Sequence, residues 1–270
     1  MDASFGLELN KIADRYYIND ETRKPIIYLA EYEKLFREVR YEKLHILELG
    51  VHSGASLLMW RDYLPNAIIV GLDIGDKPAC INNDNRIRFV KGSQDDPLAL
   101  EKAAQASGGQ FDFIIDDASH IGYHTKRAFC YLFPYWLKAG GYYIIEDFGT
   151  GYYPILPYGS VYVEPSFDDK GPHTRIFKSH QYGVVGFLKQ LVDYMMKDLM
   201  TKSPSYLNIV RITFIINCAI IRKSENSTIE PPYPVSLKPS KGSFVLNSLI
   251  FLRNRIFNMF YRLRNLRGMR

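Results

Sequence analysis

From Leu44 to Glu146 the sequence alternates five short apolar runs with helical stretches, and few folds accept that order. The runs are Leu44–Leu49, Ala67–Leu72, Ile87–Lys91, Phe111–Asp116 and Gly141–Glu146, with helical stretches at 54–64, 96–107 and 122–138. A helical crossover returns the chain to the same end of the sheet, so strands joined this way lie parallel and the crossovers are right-handed. Two later runs, 207–216 and 218–223, meet at Asn217 and predict an antiparallel hairpin. The expectation is an α/β fold. Its sheet is doubly wound and Rossmann-like, with seven strands, mostly parallel, and a C-terminal antiparallel hairpin.

The flanks divide the chain further. Residues 1–43 form an N-terminal helical segment, with Tyr28, Leu29, Tyr32, Leu35, Phe36 and Val39 at helix spacing. The strand-rich domain covers 44–223. Within it a loop rich in Gly, Pro and Tyr (148–172) precedes a helix at 177–201, whose apolar face carries Val184, Phe187, Leu188 and Leu191. A linker follows at 224–248, and 249–270 reads as a basic amphipathic helix with Leu249, Leu252, Ile256, Met259, Leu263 and Leu266 at alternating three and four residues.

Charge separates the body from this tail. The tail holds six arginines and no acid against an overall net charge of +5, which leaves the rest of the chain about one unit negative. A nucleic-acid enzyme would carry a basic stripe across its folded body, so no nucleic-acid partner is expected. A basic, aromatic-rich helix can lie in an anionic membrane interface. Peripheral membrane contact through 249–270 is therefore one expectation, and packing on the body or in a homo-oligomer is the other. The longest apolar run, Ile212–Ile221, is broken by Thr213 and Asn217 and is too short to span a bilayer. Cys80, Cys130 and Cys218 are odd in number and lack C-x-x-C spacing, so they read as reduced thiols. With no basic-then-apolar leader at the start, a cytoplasmic location is expected.

Open α/β sheets bind ligands at the carboxyl ends of their strands, where the strand order reverses. Four signals fall there. The first is Leu47-Glu48-Leu49-Gly50-Val51-His52-Ser53-Gly54, a strand running into a glycine turn and then a helix. A dinucleotide site would place a second glycine where His52 stands, to make room for a pyrophosphate. His52 thus disfavours NAD and suits a nucleoside cofactor without phosphates. Asp73 ends the second strand and can accept from both ribose hydroxyls. Gln94 and Asp95 follow the third strand, within reach of an adenine edge. The fourth run ends in Asp116-Asp117. Glu48, Gly50, Gly54, Asp73, Gln94, Asp95 and Asp116 are accordingly the candidate cofactor-binding residues.

These signals resemble class I methyltransferases. The segments Asp116-Asp117-Ala118-Ser119-His120 and Gly140-Gly141-Tyr142-Tyr143-Ile144-Ile145-Glu146-Asp147 narrow the resemblance to the metal-dependent sugar O-methyltransferases of the macrocin and mycinamicin type. Cephalosporin-hydroxylase-like and rhamnosyl O-methyltransferase proteins share much of the pattern. The resemblance covers about 44–222. It implies S-adenosyl-L-methionine and Mg²⁺ as cofactors, Asp117, Glu146 and Asp147 as metal ligands, and His120 as general base. The acceptor it implies is a sugar hydroxyl of a glycoside or glycan intermediate.

The chemistry is consistent with that assignment. Carboxylates are hard oxygen ligands suited to Mg²⁺, and an imidazole can take the proton that makes a hydroxyl nucleophilic. His120 could instead cap the helix that follows it, and His124 reads as packing or support. Tyr152, Tyr153, Tyr158 and Tyr162 could stack on a sugar face or simply cover the core; His173 and His180 receive no role. The family's N-terminal T-D-K element corresponds to Asn19-Asp20-Glu21-Thr22-Arg23-Lys24 without its following histidines, so no cofactor contact is expected from 1–43. Two other functions share these features: an enzyme of cephalosporin-hydroxylase-like chemistry on the same fold, and a catalytically silent subunit that binds S-adenosylmethionine. The complete set of Asp117, His120, Glu146 and Asp147 argues against the silent subunit.

Overall fold

The computed structural model describes residues 8–17, 23–156, 159–164, 179–201 and 207–227. The chain divides into two units, Met1–Tyr233 and Pro234–Arg270, and the described residues all belong to the first. The expected helix at 249–270 therefore lies outside the described residues, as do Tyr158 and His173.

Seven strands form one sheet: β1 (His45–Leu49), β2 (Ile68–Asp73), β3 (Ile87–Lys91), β4 (Phe111–Asp116), β5 (Leu137–Glu146), β6 (Ile209–Ile215) and β7 (Cys218–Lys223). Their order across the sheet is β3-β2-β1-β4-β5-β7-β6. The first five pair in parallel, and β7 runs antiparallel to both β5 and β6. This is the expected sheet, with one addition: the hairpin inserts β7 between β5 and the edge strand β6. The strand order reverses between β1 and β4, where Leu49 pairs with Asp116.

Helices cover both faces. On one lie α1 (Glu8–Tyr16), α2 (Ile26–Phe36) and α3 (Ala55–Tyr63); on the other lie α4 (Pro97–Ser107), α5 (Gly122–Tyr135) and α6 (Gly183–Thr201). Local chemistry sets several of these boundaries. Asp96 accepts a bond from the Leu98 amide at 3.0 Å, Pro97 follows it, and Gly108 ends α4 in a left-handed conformation. The helix expected at 177–201 begins at Gly183, and the described residues of 1–43 hold two helices, with Val39 beyond the end of the second. β5 begins four residues before the expected Gly141, and its pairing to β4 shifts register between Phe111 and Phe113. None of the described helices is long and apolar enough to cross a membrane.

Strand alternation then sorts the acids by face, because successive side chains point to opposite sides. Ile46, Phe113, Ile115 and Ile144 pack under α1–α3, so Glu48 and Glu146, two residues on from Ile46 and Ile144, face the same way. Leu47, Leu49, Ile114, Tyr143 and Ile145 pack under α4–α6, and Asp116 faces with them.

The α2–sheet contact is aromatic. Phe36 is fully buried, with its ring centroid 4.4 Å from Phe113 and 5.6 Å from Trp60. Truncating a buried ring loses its transfer energy and leaves a cavity, so Phe36→Ala should cost about 3–5 kcal/mol in denaturant unfolding. A loss below about 1 kcal/mol would mean that α2 does not depend on this contact.

Candidate active site

The carboxyl ends of β1, β4 and β5 bring the acids together, and a cation from outside the sheet holds them. Lys24 lies just before α2 and is 2% exposed. Its Nζ donates to Asp117 Oδ2 at 2.7 Å and Glu146 Oε1 at 2.8 Å, and lies 3.2 Å from Glu48 Oε1. Burial would push this ammonium down, but Asp117, Glu146 and Glu48 together outweigh it and hold it well above the usual lysine range. Glu146 is pushed up to about 8 by burial and by Asp117, against the pull of Lys24. The Tyr32 hydroxyl also donates to Glu146 Oε1, at 2.5 Å. Glu48 is fully buried, receives a bond from Trp60 Nε1 at 3.2 Å, and is raised by burial.

Beside this knot lies a second cluster, in which Asp117, His120 and Asp147 each offer one ligand atom, all within 4.8 Å of one another. Lys24 takes Asp117 Oδ2, and Oδ1 lies 3.9 Å from His120 Nε2. Asp147 Oδ1 accepts from Asn217 Nδ2 at 2.8 Å and lies 2.9 Å from the Tyr28 hydroxyl, so this residue can offer Oδ2 to a cation. Two carboxylates and an imidazole, each with an atom to spare, fit a divalent ion that retains some water. Of the three acids expected to bind metal, Asp117 and Asp147 fall in this cluster. Glu146 binds Lys24 and Tyr32 behind it. His120 has a positive φ of 54°, makes no side-chain cap on α5, and accepts a bond from Thr150 Oγ1 at its carbonyl.

The expected cofactor residues line the same end of the sheet. Gly50 has φ +89°, and a Cβ there would sit 2.1 Å from the Asp117 carbonyl oxygen, so only glycine fits. Gly54 starts α3 in a left-handed conformation. Asp73 Oδ2 accepts from the amides of Val51 and His52 at 2.7 and 3.1 Å, and its Oδ1 from the Gly75 amide at 2.7 Å. A carboxylate has about four acceptor sites, so these bonds leave room for a hydroxyl. Gln94 joins Asp116 Oδ1 at 2.9 Å to the Ser119 amide at 2.8 Å, and thereby fixes the turn that carries His120. Burial pushes Asp116 up to about 6. Asp95 accepts from Ser93 Oγ at 2.5 Å and lies 3.8 Å from the buried His124, whose pKa is lowered by burial. His180 is buried, with Nε2 2.6 Å from the Gly151 carbonyl and its ring against Tyr152.

The sequence reading missed Lys24, Tyr28, Tyr32 and Asn217. Lys24, at the end of the stretch Asn19–Lys24, reaches the centre of the acids, a contact that its position in the sequence does not signal. Tyr28 and Tyr32 form part of the apolar stripe, and their buried rings carry hydroxyls that reach Asp147 and Glu146.

The fold and strand order are those of the class I methyltransferases. Within that class, the homologues of this chain are sugar O-methyltransferases. The sequence is 33% identical over 233 residues to demethylmacrocin O-methyltransferase of Streptomyces fradiae, covering 82% of this chain and 54% of that protein. It is 32% identical over 212 residues to mycinamicin VI 2''-O-methyltransferase of Micromonospora griseorubida, covering 74% of this chain and 48% of that one. The chain thus spans about half the length of the curated relatives it matches. Among solved structures, MycE methyltransferase from the mycinamycin biosynthetic pathway, in complex with Mg, SAH and mycinamycin VI, superposes with a TM-score of 0.66 at 30% identity. That match covers 91% of this chain and 60% of the other. No protein-family model matches the sequence.

Lys24 gives the site its first test. Removing one partner of a buried ion network strands the others, so Lys24→Met should destabilise the metal-free protein by about 3–5 kcal/mol in denaturant unfolding. A change below about 1 kcal/mol would show that Glu48, Asp117 and Glu146 do not need the ammonium.

Proposed function

We propose that this protein is an S-adenosylmethionine- and Mg²⁺-dependent O-methyltransferase acting on a sugar hydroxyl of a glycoside or glycan intermediate. The observation that carries this reading is the Asp117–His120–Asp147 cluster at the end of the sheet, in a chain whose homologues are sugar O-methyltransferases. Asp117 and Asp147 would hold the metal, and Glu146, bound to Lys24 and Tyr32, would support them from behind. Mg²⁺ prefers oxygen donors, which leaves the neighbouring His120 imidazole to accept the acceptor's proton. When bound, the metal polarises the hydroxyl and S-adenosylmethionine supplies the methyl group.

The chain's own residues do the rest. Gly50 and Gly54 would let the backbone approach the nucleoside, Asp73 braces that turn and would accept from the ribose hydroxyls, and Gln94 and Asp95 would hold the adenine end. Glu48 and Asp116, both buried, shape the site from behind. His120 would take the proton of the acceptor hydroxyl, whose oxygen would receive the methyl group that S-adenosylmethionine supplies. His120 is placed for this by the Gln94–Ser119 bond on one side and Thr150 on the other. We place the activity in the cytoplasm, on the odd number and spacing of the cysteines.

Incubation with S-adenosylmethionine, Mg²⁺ and a panel of glycosides should yield a product heavier by one methyl group. EDTA should abolish turnover and Mg²⁺ restore it, and His120→Ala should lower kcat by about 10²–10⁴-fold. Full turnover in EDTA would reject the metal's role, and a product without an added methyl group would reject the reaction.

A further inference from the structure

Asn217 occupies the turn between β6 and β7 with φ +60°, a conformation that glycine and asparagine adopt most readily. A tight hairpin asks nothing more of the residue than that backbone angle. Here, however, the side chain is fully engaged with the site. Its Nδ2 donates to Asp147 Oδ1 at 2.8 Å, and its Oδ1 accepts from the Gly149 amide at 2.6 Å. Its carbonyl oxygen lies 3.0 Å from the Tyr28 hydroxyl and accepts from the Phe148 amide at 3.3 Å. One residue further along from Gly149, Thr150 Oγ1 donates to the His120 carbonyl at 2.7 Å. One amide side chain therefore ties Asp147 to the short segment that holds His120.

Two details show how closely this bridge is fitted. A Cβ at Gly149 would stand 2.6 Å from Asn217 Oδ1, so the segment comes as near as a glycine allows. Asp147 itself has φ +51°, a left-handed conformation that aspartate and asparagine adopt more readily than most residues because their side chains bond locally.

We infer that Asn217 is a positioning residue for the divalent-cation site. It holds Asp147 by its Oδ1 and, through Gly149 and the neighbouring Thr150, fixes the spacing between Asp147 and His120. The inference rests on the proposed role of Asp147 as a metal ligand. Residues that orient metal ligands from behind typically change metal affinity by about 10–100-fold.

The test is calorimetric titration of the full chain with Mg²⁺ alone, on wild type, Asn217→Gly and Asp147→Asn, with melting temperatures measured alongside. Asn217→Gly removes both side-chain bonds and keeps a residue at home at positive φ, so the hairpin stays folded. The expected result is Mg²⁺ binding weakened about 10–100-fold in Asn217→Gly at a near-normal melting temperature, and lost in Asp147→Asn. Wild-type affinity in Asn217→Gly, with binding lost in Asp147→Asn, would overturn the positioning role and leave the metal site standing. Equal affinity in wild type and Asp147→Asn would overturn the ligand role of Asp147, and the inference with it.

Discussion

A single buried ammonium holds this site together. Glu48, Asp117 and Glu146 end three neighbouring strands, and their mutual repulsion in a dry setting would drive them apart or force their protonation. Lys24 answers all three from one atom, between 2.7 and 3.2 Å away. Burying an ion costs several kcal/mol, whereas each close opposite charge returns roughly 4 kcal/mol at an effective dielectric of 20. For the ammonium, Asp117, Glu146 and Glu48 together outweigh its own desolvation, which is why the lysine stays charged. The same contacts dock α2, whose Tyr28 and Tyr32 then bring hydroxyls to Asp147 and Glu146.

That knot and the reactive cluster share Asp117, so the fold builds support and chemistry side by side. The acids facing α2 hold Lys24, while Asp117 and Asp147, each with one oxygen taken, turn towards His120. On the opposite face, Asp116 and Gln94 fix the turn bearing His120 through the Ser119 amide. The glycine turn after β1 lies against Asp117, so the backbone expected to meet a cofactor touches the residue expected to meet the metal.

Much of this was legible in the sequence, because strand patterns carry their own geometry. The alternation from Leu44 to Glu146 and the break at Asn217 led to the sheet. Period-two parity already places Glu48 with Ile46 and Glu146 with Ile144. The partners contributed from outside the sheet were not legible. Lys24 stands outside any periodic pattern, and a tyrosine in an apolar stripe reads as core whether or not its hydroxyl finds a carboxylate. Asn217 was visible only as a turn residue, since its side-chain partners lie about 70 residues away in sequence. Glu146 shows the opposite case: the motif assigns it to the metal, whereas packing turns one of its oxygens to Lys24 and Tyr32.

The proposed chemistry depends on a divalent ion binding beside the lysine-held acids. The most direct measurement is an anomalous difference map from crystals soaked in Mn²⁺, which takes the same oxygen ligands as Mg²⁺. Such a site predicts one strong peak bound by Asp117 and Asp147 next to His120, with the Lys24 ammonium still in place on Glu48 and Glu146. A featureless map at those carboxylates, or a peak that displaces Lys24 from Glu48 and Glu146, would contradict it.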